Sequence, residues 1–144
     1  MSGKIHHVVP RASPPPPSSR YAHAVEAQGW LYVTGQLPTD PDDPEAPLRS
    51  GIEAQSNMCF ENLVRILSHA GYTLGDAVFV RIYLKEFERD FAAFNRVYAH
   101  HFPQNGDLPS RTTVGVAELG RQALVEIDMV CFKDPRIASS ERLL

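Results

Sequence analysis

Cysteine is scarce in this chain: Cys59 and Cys131 are the two present among 144 residues. They lie far apart inside apolar runs and show no metal-ligand spacing, so the sequence offers neither a zinc site nor a disulfide framework. We read both as small buried hydrophobes in a reducing compartment. No run of 18 apolar residues occurs, which excludes a membrane-spanning helix. The N-terminus has neither the apolar core of a signal peptide nor an arginine-rich amphipathic presequence, so the expected location is the cytoplasm. Positive charge is also in short supply: 14 lysines and arginines against 17 aspartates and glutamates leave a net charge of −3. Without a basic field to release counterions, no nucleic-acid partner is expected. A hydrophobic fraction of 43 % over this length fits one soluble globular domain.

Proline is plentiful, and its placement divides the chain. Residues 1–20 contain "PRASPPPPSSR"; consecutive prolines donate no backbone hydrogen bonds and favour polyproline II, so this segment reads as an extended N-terminal arm. His6 and His7 lie in it and are read as inert. The compact domain runs from 21 to 133. "KDPRIASSERLL" then breaks the last strand, and residues 134–144 form a polar tail outside the core.

Within 21–133 the periodicities alternate. "YAHAVEAQGWLYVTGQLP" reads as two strands around a Gln28-Gly29 turn, and "TDPDDPEAPLRSG" as a surface loop. In "GIEAQSNMCFENLVRILSHAG", Ile52, Cys59, Leu63, Ile66, Leu67 and Ala70 share one helical face, and Gly71 ends the helix. "AVFVRIYLKEF" is a strand by its β-branched and aromatic content. In the next helix Phe87, Phe91, Phe94 and Tyr98 recur at helical spacing, and Pro103 closes it. Strands over 111–118 and 123–132 follow, with a turn at Gly120. The order β-β-α-β-α-β-β predicts an α+β layer, one sheet with both helices on one face.

Alternation then sorts the strand residues. Val78, Val80, Ile82 and Leu84 are expected to face the helices, as are Val114, Val116, Val125, Ile127, Met129 and Cys131. Phe79, Arg81, Tyr83 and Lys85 share the other face with Leu124, Glu126, Asp128, Val130 and Phe132, and with Arg111, Thr113, Gly115 and Ala117. A face that mixes aromatics with charges points to burial against another subunit. Charges on such a face need partners, which marks Arg111 and Glu126 as candidates for a site between subunits.

The segments "YVTGQLP", "AQSNMCFENLVRILSHAG", "GDAVFVRIYLKEFERDFAAFNRVY" and "PSRTTVGVAELGRQALVEIDMVCF" together resemble the RidA/YjgF family, from about Tyr21 to Lys133. The resemblance implies a chorismate-mutase-like fold and a homotrimer with sites at the subunit interfaces. It implies hydrolysis of reactive enamine/imine intermediates, such as 2-aminoacrylate, to keto acids and ammonia, with no metal or organic cofactor. It also implies that Arg111 pairs with the substrate carboxylate and that Glu126 positions or activates water. Tyr21, Thr34, Gly35 and Asn95 match pocket residues, and Thr113 stands where a cysteine is common, its backbone meeting the ligand.

These residue types suit that chemistry. A guanidinium grips a carboxylate through two parallel hydrogen bonds, which lysine cannot copy. One carboxylate suffices to accept a proton from water adding to an imine. The alternatives are plainer: a surface ion pair for Arg111, a salt bridge from Glu126 to an arginine such as Arg81, ordinary packing for Tyr21, a loop contact for Asn95. His100 and His101 are adjacent on a helix and diverge by about 100°, so they are not a chelating pair. At the level of function the alternatives are a metabolite-binding trimer without turnover and an RNA-cleaving protein. The chain departs from the family at Ser19-Arg20-Tyr21, with His23 close behind, at Gly120 and at Thr113.

Overall fold

The computed structural model of the chain describes residues 3–13, 19–103 and 106–137. The polyproline run at 14–17 and the tail residues 138–144 lie outside the described residues. Six strands form one sheet in the order β1-β2-β3-β6-β4-β5. They are β1 (Lys4–His7), β2 (Ala24–Ala27), β3 (Trp30–Gln36), β4 (Ala77–Leu84), β5 (Ser110–Gly115) and β6 (Val125–Phe132). Helices α1 (Ile52–Ala70) and α2 (Phe87–His101) pack on the same face. Neighbouring strands are antiparallel except β4 and β5, which are parallel.

The expected α+β layer is therefore present, with one strand more than the reading from alternation gave. Lys4–His7 pairs with Ala24–Ala27 as an edge strand, so part of the supposed arm belongs to the sheet. Two histidines fasten it. His7 Nε2 lies 3.0 Å from Glu26 Oε1. The buried His23 accepts the Val9 N–H at Nδ1 (2.9 Å), which leaves Nε2 to donate to the Ser13 carbonyl (3.0 Å). Three polar residues around the single Ile5 gave no signal for β1; the partners that hold it are 19 and 14 residues away.

Local sequence explains the remaining elements. Gln28 and Gly29 both take positive φ, 50° and 89°, the conformation a two-residue hairpin demands. Gly71 adopts φ 86° and closes α1 with bonds from its cap to Leu67 and Ser68, as a left-handed C-terminal glycine does. The apolar stripe of α1, including Cys59, Phe60, Leu63, Ile66 and Leu67, meets Leu31, Val80, Ile82, Leu84, Val125, Ile127 and Met129 in one core, every one of them at most 1 % exposed. Burial raises both cysteine thiols, Cys59 well above its ordinary value and Cys131 to about 12, so neither is a nucleophile at neutral pH. No helix among the described residues is long and apolar enough to cross a membrane.

Three facing assignments are corrected. Val78 is 40 % exposed because the β4–β6 register slips between Ala77 and Phe79, and Ala77 packs on the core in its place. Leu124 precedes β6 and also packs on the core. Most consequential is β5. Arg111 lies beside Val80 and Thr113 beside Ile82, and directly paired residues point the same way. Arg111 and Thr113 therefore face the helices, while Thr112 and Val114 lie beside Arg81 and Tyr83 on the other side. Neither side of this edge strand is strongly apolar, so alternation gave its two sides but not their direction, and a shift of one residue reverses every side chain.

Candidate active site

Arg111 is built into the cleft between β5 and α2. Its Nε donates to Thr113 Oγ1 at 2.9 Å and its Nη2 to Asn95 Oδ1 at 2.6 Å. The guanidinium carbon lies 4.4 Å from the Tyr98 ring centroid, 5.3 Å from that of Phe94 and 5.9 Å from that of Phe91. Helical spacing lines these α2 side chains along one side of the cation, where aromatic faces attract it. Burial pushes the Arg111 pKa down, countered by Tyr98, yet arginine remains charged throughout the physiological range. Nη1 makes no hydrogen bond to the chain among the described residues, and Arg111 borders an open cleft of about 470 Å³ lined also by Phe87, Phe91, Asn95 and Thr113. The cation is thus fixed in direction with donors to spare, which is what recognition of an anion requires.

A second group forms on the opposite face of the sheet. Glu126 on β6 lies beside Tyr83 on β4. It is half-buried, and its carboxylate accepts no hydrogen bond from the chain among the described residues. Burial raises its pKa, and the neighbouring Asp128 raises it further. The salt bridge to Arg81 considered for it goes elsewhere: Arg81 pairs with Asp128 at 3.3 Å, and the Tyr83 hydroxyl donates to the same Asp128 oxygen at 2.9 Å. The aspartate absorbs the local cation and donor, and the glutamate keeps its proton affinity.

Thr34 and Gly35 stand against this glutamate. The β3–β6 register shifts between Val33 and Gln36, so Thr34 and Gly35 together oppose Asp128, a bulge of one extra residue. A Cβ at Gly35 would overlap the Glu126 carboxylate. Gln36 is buried and folds its amide back on the Thr34 carbonyl at 2.9 Å, filling an acceptor that the bulge takes out of the ladder. The Thr34 hydroxyl donates to the Ala22 carbonyl at 2.7 Å and so ties the segment bearing Tyr21, itself 49 % exposed, to the bulge.

The sequence-derived candidates consequently fall into two groups. Arg111, Asn95 and Thr113 are together, and so are Glu126, Gly35 and Thr34, with Tyr21 adjacent to the latter. The sheet separates them, and β4 lies between β5 and β6. Thr113 acts through its hydroxyl on Arg111. What the sequence reading missed is the aromatic surround: Phe87, Phe91 and Tyr98 read as an apolar stripe, and their recurrence opposite a strand-end arginine was the available signal. His101 Nε2 donates to Asn57 Oδ1 at 3.0 Å, and its ring stacks on Phe60, with its pKa lowered by burial. Its ring stands nearly perpendicular to that of His100. Among the described residues no group of three or more histidine, cysteine, aspartate or glutamate side chains is placed to hold a metal ion.

A two-helix layer on one face of a mixed six-stranded sheet, with an arginine held beside an open cleft at its edge, defines an α+β protein with a candidate small-molecule site. Residues 11–132 match the family model described as Endoribonuclease L-PSP, and the chain belongs to this family, the one also called RidA/YjgF/RutC. A RutC family protein of Pyrococcus horikoshii is 37 % identical over 120 residues, covering 83 % of this chain and 92 % of its own. The 3-aminoacrylate deaminase RutC of Acinetobacter baylyi is 36 % identical, covering 81 % of this chain and 89 % of its own. The crystal structure of RidA from an Antarctic Psychrobacter superposes with a TM-score of 0.79 at 31 % identity, covering 90 % of this chain and 100 % of its own.

Proposed function

We propose that the chain is a hydrolytic deaminase of carboxylate-bearing enamines and imines, such as 2-aminoacrylate or larger enamino acids, working as a homotrimer with its sites between subunits. The observation that carries this reading is the separation of Arg111 and Glu126 on opposite faces of one sheet. Each lies at a surface with its chemistry unspent, and they meet only when the helix-side edge of one copy abuts the open face of the next. That open face bears Trp30, 40 % exposed, Tyr32, 57 % exposed, and the Trp30–Phe132 ring pair, apolar area of the kind a subunit contact buries. A homologue of the same family carries a deaminase name.

In this reading the substrate carboxylate docks on the open edge of Arg111, held in place by Asn95 and Thr113. An enamine tautomerises to its imine by taking a proton on carbon. Glu126 of the adjoining subunit then accepts a proton from water as the oxygen bonds to the imine carbon. Glu126 returns that proton to nitrogen, giving a carbinolamine; it then takes the hydroxyl proton and passes it to nitrogen as the C=O bond forms and the C–N bond breaks, and ammonia and the keto acid leave. The steps consume one water and call for no redox change, metal or organic cofactor. Burial that raises the Glu126 pKa suits it to both accept and return a proton. A nuclease is less favoured: Arg49, Arg65, Arg81, Arg89 and Arg96 are each paired with an acid, whereas phosphate binding needs free cations.

Subunit mixing tests the arrangement. Arg111→Ala and Glu126→Gln are each expected to be inactive toward 2-aminoacrylate generated in situ by a lyase. Refolded together at equal amounts, they should regain activity in about one quarter of the sites, since each site takes one group from each neighbour. Light scattering should give three times the protomer mass of 16.0 kDa. Full inactivity of the mixed trimers would refute the shared site, and wild-type protein that leaves the decay rate unchanged would refute the aminoacrylate reaction.

A further inference from the structure

The cleft beside Arg111 has a polar end and an aromatic end. Arg111, Asn95 and Thr113 make the first. Phe87 and Phe91 make the second, with ring centroids 4.8 Å apart and planes within 17°. Phe94, one turn further along α2, is fully buried in the core, whereas Phe91 is 36 % exposed, so this ring faces the cleft rather than the core. Phe87 is seated against β5 because Gly115 carries no side chain; a Cβ there would come within 3.2 Å of Phe87 Cβ. The bare strand position and the ring above it fit each other.

Length decides what this end is for. Arg111 and Gly115 are four residues apart on one strand, a span of about 13 Å. A three-carbon enamino acid held by its carboxylate spans only a few bonds of about 1.5 Å each and stops well short of Phe87. The guanidinium carbon lies 5.9 Å from the Phe91 centroid, so the smallest substrate reaches that ring at most and leaves unused the Phe87 end of the cleft. The aromatic end suits a flat, apolar body that slides along stacked rings, since aromatic faces favour offset stacking with a second π system.

Resting on the deaminase reading above, we propose that Phe87 and Phe91 are specificity-determining residues that select α-imino acids with a planar aromatic or conjugated side chain, the carboxylate on Arg111 and the side chain along the two rings. The keto-acid products test this apart from turnover. Calorimetry on the intact protein should find phenylpyruvate bound about tenfold tighter than pyruvate. Phe91→Ala should bring the two affinities together, as should Gly115→Ala, which displaces Phe87, while Arg111→Ala weakens both alike. Phe91→Leu keeps an apolar side chain of similar size without the ring and should also lose the preference, which secures the test if the alanine variant folds poorly. Equal affinities in the wild type, or a preference untouched in folded Phe91→Ala and Phe91→Leu, would overturn the proposal. Preference without hydrolysis of any imine would uphold it and sink the deaminase reading. Hydrolysis of phenylalanine- and alanine-derived imines at equal efficiency, with equal product affinities, would do the reverse.

Discussion

Arg111 sits among partners and Glu126 among none. The arginine spends two hydrogen bonds and three ring contacts on being held still, while the glutamate lies half-buried with its neighbour Asp128 taking the cation and the hydroxyl nearby. A group that recognises a planar anion works by direction, so rigidity helps it. A group that exchanges protons works by affinity for the proton, and a fixed cation would lower that affinity. The two faces of one sheet thus supply two different environments, a preorganised edge and an underpaired carboxylate.

Substitutions can break either environment separately. Glu126→Gln should be the most damaging, lowering kcat about 10²–10⁴-fold in a steady-state imine assay while keto-acid binding changes little. Arg111→Lys should follow, with kcat/KM down about a hundredfold, since an ammonium cannot make the paired contact. Gly35→Ala should push the Glu126 carboxylate aside and lower kcat about tenfold, again sparing keto-acid affinity. Asn95→Ala should be mildest, raising KM about fivefold as the guanidinium loses one anchor. If Gly35→Ala altered binding and Asn95→Ala altered kcat alone, the division of labour would be wrong.

Acidity sharpens the same contrast. Burial and Asp128 raise the Glu126 pKa, so the acid limb of the kcat/KM profile should lie above that of an ordinary glutamate, and Asp128→Asn should move it lower. Stability runs the other way. A carboxyl with a raised folded-state pKa favours the fold fully below its unfolded pKa, and the advantage fades as pH rises through the folded value. Glu126→Gln should consequently raise the melting temperature at neutral pH and leave it nearly unchanged in acid, as calorimetric scans would show.

The helices were legible in the sequence because each writes its boundary locally: Gly71 and Pro103 stop them, and the apolar stripes give their inner faces. The central strands were legible where one side is plainly apolar, as in Val125–Ile127–Met129–Cys131. β5 was not, because Arg-Thr-Thr-Val-Gly has no dominant side and its orientation is set by pairing with β4, 31 residues away. β1 was hidden for a similar reason. The candidates Arg111 and Glu126 stood out in the sequence by their chemistry; that they stand on opposite faces did not, since that depends on the β4–β5 register rather than on either local motif.

The bulge at Thr34-Gly35 also works as a phase shifter. Before it the core-facing residues of β3 are odd-numbered, Leu31 and Val33; after it the buried residue is Gln36. The strand is read in one frame up to Val33 and in the other beyond. Deleting one of the two bulge residues would merge the frames into plain alternation, leaving Leu31, Val33 and Gln36 on the core side, but it would remove the close approach of the Gly35 backbone to the Glu126 carboxylate. A deletion in the 40–48 loop would change only a connection. A loss within the regular part of β3, at Tyr32, would instead turn Leu31 or Val33 away from the core, so losses of equal length are unequal events.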